Sequence, residues 1–316
     1  MVVLFMIIFS DLLFGFSHAQ LKVGFYNKVC PNAESIVANI VRDAAKSNSH
    51  IPAILLRLHF HDCFVEGCDG SILIDNGGKS EKMAFGHQGL QGFDVIENAK
   101  AKLESVCPGV VSCADIVTMA ARDAVAASRG PVYQVETGRK DGFVSDVKFA
   151  DRMPDVKDSI QLLKQKFIEK GLNEKDLVVL SAAHTVGTTA CFFVQDRLYK
   201  FGSSGGSDPS INPKFLPKLS SMCPENGSIN DRIPMDPGSE KIFDTKILDN
   251  IRNGFAVLQS DAQLMEDPIT KGIVNSYSGG GSSFEADFVK SMVRMGRLGT
   301  KTGSNGNIRR VCSKFN

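Results

Sequence analysis

The chain has 316 residues, 43% of them hydrophobic, and a formal net charge of +1 at pH 7. That length and apolar content allow a substantial buried core in one large domain or two, and so balanced a charge gives no electrostatic reason to expect nucleic acid as a partner. Eight cysteines, an even number, suit a disulfide-bonded protein of an oxidising compartment.

Residues 1–19, MVVLFMIIFSDLLFGFSHA, form an apolar stretch ending in Ser-His-Ala, the small-x-small pattern of signal-peptide cleavage before Gln20. The stretch is short for a membrane span and carries Asp11, although it lacks the usual positive n-region. An exported protein is therefore expected, with residues 20–316 as a single domain free of the membrane after cleavage. Apolar residues recur at helical spacing over 34–46, 92–105, 113–127, 159–170, 188–200 and 284–295, whereas sustained strand alternation is scarce. The punctuation at 202–209 and 278–283 reads as loops between helices, so one mainly α-helical unit is predicted.

The densest chemistry lies in LLRLHFHDCFVEGCDGS, residues 55–71. On a helix Arg57 and His61, four apart, project from one face, while His59 points elsewhere, which argues against a zinc pair. By itself such an Arg and His pair is as readily a solvated or structural one. Asp62, Asp69 and Ser71, with glycine-flexed carbonyls between them, offer the oxygen donors a hard cation such as calcium needs, though not in EF-hand spacing. An acidic turn with a small Cys63 to Cys68 disulfide would look the same. The absence of any CxxC pair weighs against zinc or iron–sulfur ligation. Further on, His184 follows the apolar run 177–183 and should be buried, either hydrogen-bonded in the core or as a ligand. Asp261 in LQSDAQL would serve as a helix N-cap, MDPGSEKIFD at 235–244 as a turn, and Pro154 as another. Asn226-Gly-Ser is the only N-glycosylation sequon.

RLHFHDCFVEGCDGSILI resembles the distal haem-side motif of the class III, or secretory plant, haem peroxidases. The resemblance continues in order through GFYNKVCPNAESIV (24–37), VSCADIVTMAARDAV (111–125), LVVLSAAHTVG (177–187), MDPGSEKIFD (235–244), LQSDAQLM (258–265) and MGRLGTKTGSNGNIRRVC (295–312), covering essentially the whole mature chain. It implies the haem peroxidase fold, with one haem b between a distal and a proximal helical half. It also implies four disulfides, Cys30 with Cys107, Cys63 with Cys68, Cys113 with Cys312 and Cys191 with Cys223. His184 would be the axial iron ligand and Asp261 the acceptor of its other ring N–H, strengthening the imidazole as a donor. One calcium would take Asp62, the Val65 and Gly67 carbonyls, Asp69 and Ser71. A second would take Thr185, Asp236, Ser239, the Ile242 carbonyl and Asp244.

The activity so implied is reduction of hydrogen peroxide, with His61 moving the proton and Arg57 stabilising developing charge. Small phenolic donors would then give up single electrons at an exposed haem edge, with Phe60 restricting access and Pro154 beside the donor entrance. Cell-wall or lignin-type phenol oxidation and oxidative stress response fit that chemistry, and the chain ends four residues after Cys312, so an extracellular or cell-wall monomer is expected. A haem-binding peroxide sensor and a haem-free calcium adhesion protein are the competing classes. Two residues depart from the family. His87 stands where most relatives have an Asn that accepts a hydrogen bond from the distal His, which predicts acid-sensitive peroxide activation. Tyr133 replaces a common Trp, and the chain has no Trp.

Overall fold

The computed structural model describes residues 21–203, 205–278 and 283–316; the expected leader, residues 1–19, lies outside them. Helices dominate, as the periodicity predicts. In the N-terminal half these are α1 (Ala33–Ser47), α2 (Ile51–Phe64), α3 (Phe93–Val106) and α4 (Cys113–Ala127). After them come α5 (Ile160–Glu169), α6 (Glu174–Ser181), α7 (Gln195–Tyr199), α8 (Leu216–Met222), α9 (Lys246–Arg252), α10 (Gln259–Gln263), α11 (Pro268–Ser276) and α12 (Ser283–Met295). Among the described residues strands are confined to two antiparallel pairs, β1 (Lys22–Val23) with β2 (Glu136–Thr137) and β3 (Thr188–Ala190) with β4 (Arg232–Pro234). No helix among the described residues is long and apolar enough to cross a membrane.

Helix α4 is the central pillar. Ser112 Oγ caps it by accepting from the Asp115 N–H at 3.2 Å, and its Ile116, Val117, Met119, Ala120, Ala121 and Ala124 are all buried. Helix α2 lies against α4, and α1 packs on both. Pro52 sits in the first turn of α2, where the missing N–H costs nothing, and Leu55, Leu56, Leu58 and Phe64 bury the helix nearly all round. The other half is organised by α6, which a reciprocal Asn173 and Asp176 capping box opens. Asp176 also takes hydrogen bonds from Ser291 and Arg294 of α12, so the cap doubles as a tertiary anchor. A smaller core around Val194, Leu198, Phe215, Leu219 and Ile233 lies beyond it.

All four disulfides implied by the resemblance are formed: Cys30–Cys107, Cys63–Cys68, Cys113–Cys312 and Cys191–Cys223. The single helix predicted over 188–200 is not. Thr188 pairs with Pro234 and Ala190 with Arg232 as strand, a 3-10 turn spans Cys191–Phe193, and only Gln195–Tyr199 is α-helical. Two features override the periodicity. Gly187 has φ +100° and no space for a side chain, since a Cβ there would lie 2.4 Å from the Ala53 Cβ of α2. The β-branched Thr188 and Thr189 then favour the extended ladder that β4 offers.

A second close approach fixes the loop that follows α2. Gly67, at φ +103°, abuts Gly299, whose Cα would stand 2.5 Å from a Gly67 Cβ. Beside it the Cys68 N–H donates to Leu298 O at 2.9 Å. Backbone meets backbone here, so neither side can yield as a side chain would. Gly67→Ala should therefore destabilise the protein by about 3 kcal/mol, read as a lowered thermal unfolding midpoint; an unchanged midpoint would refute this account of the contact.

Candidate active site

Helix α2 carries Arg57 and His61 on one face, as their spacing predicts. His61 is buried, and its ring lies edge-on to Phe60 at 5.6 Å between centroids and to His87 at 4.8 Å. Arg57 Nη2 donates to Gly86 O at 3.3 Å and Gln88 O at 3.2 Å, which draws the turn carrying His87 over this face of α2. Burial, and then the charge of Arg57, holds the His61 pKa below its ordinary value, so the ring stays a neutral base. Burial likewise lowers Arg57 to about 10 with Arg232 nearby, which leaves it cationic at neutral pH. His59 points away, as expected, into the core against Cys63 Sγ at 3.5 Å.

The hydrogen bond expected from His61 to His87 is not made. Glu81 O can only accept, so its 2.7 Å contact puts the proton of His87 on Nδ1. Nε2 of His87 then faces Met153 Sδ at 2.9 Å. Both ring nitrogens are committed away from His61, whose buried Nδ1 has no partner among the described residues. The two rings are in edge contact only, so the acid sensitivity predicted from that bond loses its geometric basis. Pro154, half-buried, directly follows Met153 in the chain.

On the other side, α6 runs into a 3-10 turn, Ala182–Thr185, that presents His184. Asp261 is not an N-cap but the third residue of α10, buried, with its carboxylate oxygens 2.9 and 3.1 Å from His184 Nδ1. Burial opposes charge on His184, but the Asp261 carboxylate outweighs it and raises the pKa. With Nδ1 bound, Nε2 is left to donate its lone pair. It makes no hydrogen bond among the described residues, and the side chain is 34% exposed although its partner is buried. The turn that carries His184 packs against α2, and the charge of Arg57 acts on both His61 and His184. A carboxylate-pinned imidazole on a turn packed against the helix of a neutral base and a guanidinium is a donor set that fits a haem iron.

Two oxygen clusters adjoin these histidines. In the first, Asp62 Oδ2 takes the Gly70 N–H and Asp69 Oδ1 the Ser71 N–H, while Ser71 Oγ donates to Glu81 Oε2 at 3.3 Å. Asp62 Oδ1 and Glu81 Oε1 are buried without a partner among the described residues. Burial, and then repulsion from Asp69, lifts the Asp62 pKa, and burial with Asp62 and Asp69 nearby lifts Glu81 to about 9. A divalent cation would relieve both. In the second cluster Thr185 Oγ1 lies 3.1 Å from Asp236 Oδ2, 3.2 Å from Asp244 Oδ1 and 3.4 Å from Ile242 O, and Ser239 Oγ 2.8 Å from Asp236 Oδ2. Among the described residues no three His, Cys, Asp or Glu side chains converge as a metal site on their own. Both clusters instead mix carboxylates with hydroxyl and carbonyl oxygens, as hard cations prefer.

Sequence reasoning missed Glu81, Met153 and an aromatic rim. Phe85, 58% exposed, meets Phe192 edge to face with centroids 5.7 Å apart, and Phe192 meets Phe193 in the same way at 5.2 Å. Phe85 lies in the turn beside Gly86, whose carbonyl takes Arg57, and the other two follow β3, so the rim draws on both halves. Glu81 carried no signal, being one carboxylate in a polar turn.

A family model described as Peroxidase matches residues 37–280. Peroxidase 43 of Arabidopsis thaliana is 61% identical over 308 residues, covering 96% of this chain and 94% of the relative. Peroxidase 13 of the same plant is 53% identical over 319 residues, covering 99% and 98%. Peroxidase N1 of Nicotiana tabacum is 50% identical over 299 residues, covering 93% and 90%.

His87 titrates near 6.5 when unfolded but is pushed down to about 4 in the fold, chiefly by burial. The unfolded chain thus binds this proton first, and stability is lost as pH falls from about 6.5 towards 4, by about 2 to 3 kcal/mol from this residue. His87→Asn should flatten that limb of a plot of unfolding midpoint against pH. An unaltered slope would mean that His87 is already charged in the fold.

Proposed function

Because this chain belongs to the class III plant peroxidases, enzymes that reduce hydrogen peroxide and oxidise phenolic donors, we propose that Arg57, His61 and His184 carry that reaction here. Haem is the cofactor the family implies, and when bound it would supply the iron at which peroxide is reduced and the electrons that phenolic donors afterwards replace. His184 would hold it through Nε2, with Asp261 fixing the ring and increasing its donor strength.

His61 accepts a proton from peroxide at Nε2 and returns it to the departing oxygen as water forms. Its depressed pKa keeps it ready for the first transfer at neutral pH. Arg57 stabilises the negative charge that develops as the O–O bond breaks. Calcium at Asp62, the Val65 and Gly67 carbonyls, Asp69 and Ser71 would fix the turn beside His61. Calcium at Thr185, Asp236, Ser239, the Ile242 carbonyl and Asp244 would fix the one beside His184. Phenolic donors would meet the apolar rim of Phe85, Phe192 and Phe193, with Pro154 at its border, and Phe60 would close the inner pocket. Residues 1–19 act as a secretion signal, residues 20–316 form one monomeric domain working outside the cell, and the exposed Asn226 carries a glycan.

The single observation that carries this reading is a pair of histidines on elements packed against each other, His184 pinned by Asp261 and His61 kept neutral beside Arg57. Rapid mixing of the haem-loaded protein with peroxide, followed by visible absorption, tests it. His61→Leu should slow the peroxide-driven spectral change by roughly a hundredfold or more, and an unchanged rate would remove His61 from the mechanism. Phe192→Ala should raise KM for a phenolic donor about threefold with the peroxide step intact; equal KM values would exclude the rim as the donor surface.

A further inference from the structure

Two ammonium groups stand within the oxygen set beside His61. Lys301 Nζ lies 2.6 Å from Asp69 Oδ2, and Lys170 Nζ donates to Val65 O at 2.7 Å. Each arrives from a different element, Lys170 at the C-terminal end of α5 and Lys301 in the C-terminal stretch, where Lys301 O accepts from the Lys140 N–H at 2.7 Å. The set beside His184 is built otherwise. Among the described residues no Lys or Arg pairs with Asp236 or Asp244. Asp236 takes hydrogen bonds from Thr185, Ser239 and the Asn250 amide, and Asp244 Oδ1 takes the Lys246 N–H at 2.8 Å.

The lysines do not complete the distal set. Asp62 Oδ1 and Glu81 Oε1, both on fully buried residues, still lack partners among the described residues. The cluster therefore keeps a demand for positive charge that two fixed ammonium groups, each held at one edge, leave unmet. Calcium affinity follows the count of uncompensated anionic ligands. At Asp69 that count is reduced by an ion pair, and at Val65 a lone pair is shared with a second cation.

We propose that Lys301 and Lys170 are built-in competitors for the distal calcium position, making it the weaker of the two sites and holding its loop in place when the ion leaves. This rests on the assignment of residues 62–71 as calcium ligands made above. Its consequence is one-sided control: falling calcium would act first on the turn next to His61, while the environment of His184 persists.

Calorimetric titration of calcium into haem-loaded, chelator-stripped protein decides the matter. Two binding events are expected, of which Asp69→Asn removes the weaker. Lys301→Met should tighten that weaker event by roughly fivefold or more and leave the stronger one alone. Lys102→Met, the same charge change on the exposed face of α3, should move neither. The proposal is overturned if Lys301→Met changes nothing, if it shifts both events alike, or if Asp69→Asn removes the stronger event. Titrations of wild type and Asp69→Asn that are indistinguishable would instead overturn the ligand assignment itself, and the proposal with it.

Discussion

Helix α2 is buried almost all round and yet carries Arg57, His59, His61 and Asp62. Burying a polar group without a partner costs on the order of 1–3 kcal/mol, and more for a charge, so each of these side chains must be satisfied by the fold or by something the fold binds. His59 is satisfied locally by Cys63 Sγ, and Arg57 by the carbonyls of Gly86 and Gln88. Asp62 is half satisfied, by the Gly70 N–H. The remainder, Asp62 Oδ1 and His61 Nδ1, are the atoms for which the chain supplies no partner among the described residues. One is in the oxygen cluster, where a cation would meet its demand, and the other is the ring nitrogen of His61 that is not the Nε2 assigned to proton transfer.

The His184 half meets the same constraint differently. Asp261 gives His184 a full-strength acceptor, and Asn250 and two hydroxyls surround Asp236. Neutral donors and a single pinned imidazole produce a site that is rigid before any ligand arrives. The distal side, with its lysines, its unpaired Nδ1 and its Met153 contact, is built from compromises instead. That asymmetry suits the division of labour: the proximal imidazole must hold still, whereas the distal base must gain and lose a proton.

Much of this was legible in the sequence. Helix α4 appears with the predicted bounds, and α1, α3, α5 and α12 within one or two residues, because apolar spacing and burial coincide there. The histidines, the oxygen clusters and the disulfide pairing came from motifs whose order along the chain matched a family. The segment 188–200 was not legible, since Gly187, β4 and the Cys191–Cys223 link impose a strand that no local pattern announces. Nor was the geometry at His87. From sequence an imidazole in place of a carboxamide looks like an acceptor for His61; in the fold Glu81 O dictates the tautomer and Met153 takes the other edge. Glu81, Met153, Lys170 and Lys301 lie 66 to 232 residues apart from their partners or in featureless turns, where periodicity carries no information.

The distance between those partners points to how the distal side is held at all. The loop after α2 is glycine-rich and cannot build a core of its own, so it is clasped by the C-terminal segment. Leu298 O receives the Cys68 N–H, Gly299 abuts Gly67, and Ser313 O receives the Asp75 N–H. Arg309 joins Gly70 O to the Asp141 carboxylate, donating to the first from its buried guanidinium and to the second from its backbone N–H. Closing so long a loop is entropically costly, and the Cys113–Cys312 disulfide, 199 residues in separation, offsets roughly 5 kcal/mol of it in the chain-entropy model. The covalent link therefore does more than add stability. By bringing residues 298–313 back to α2 and α4 it delivers Lys301 to Asp69, so the same closure that shapes the distal loop also brings the cation that competes there.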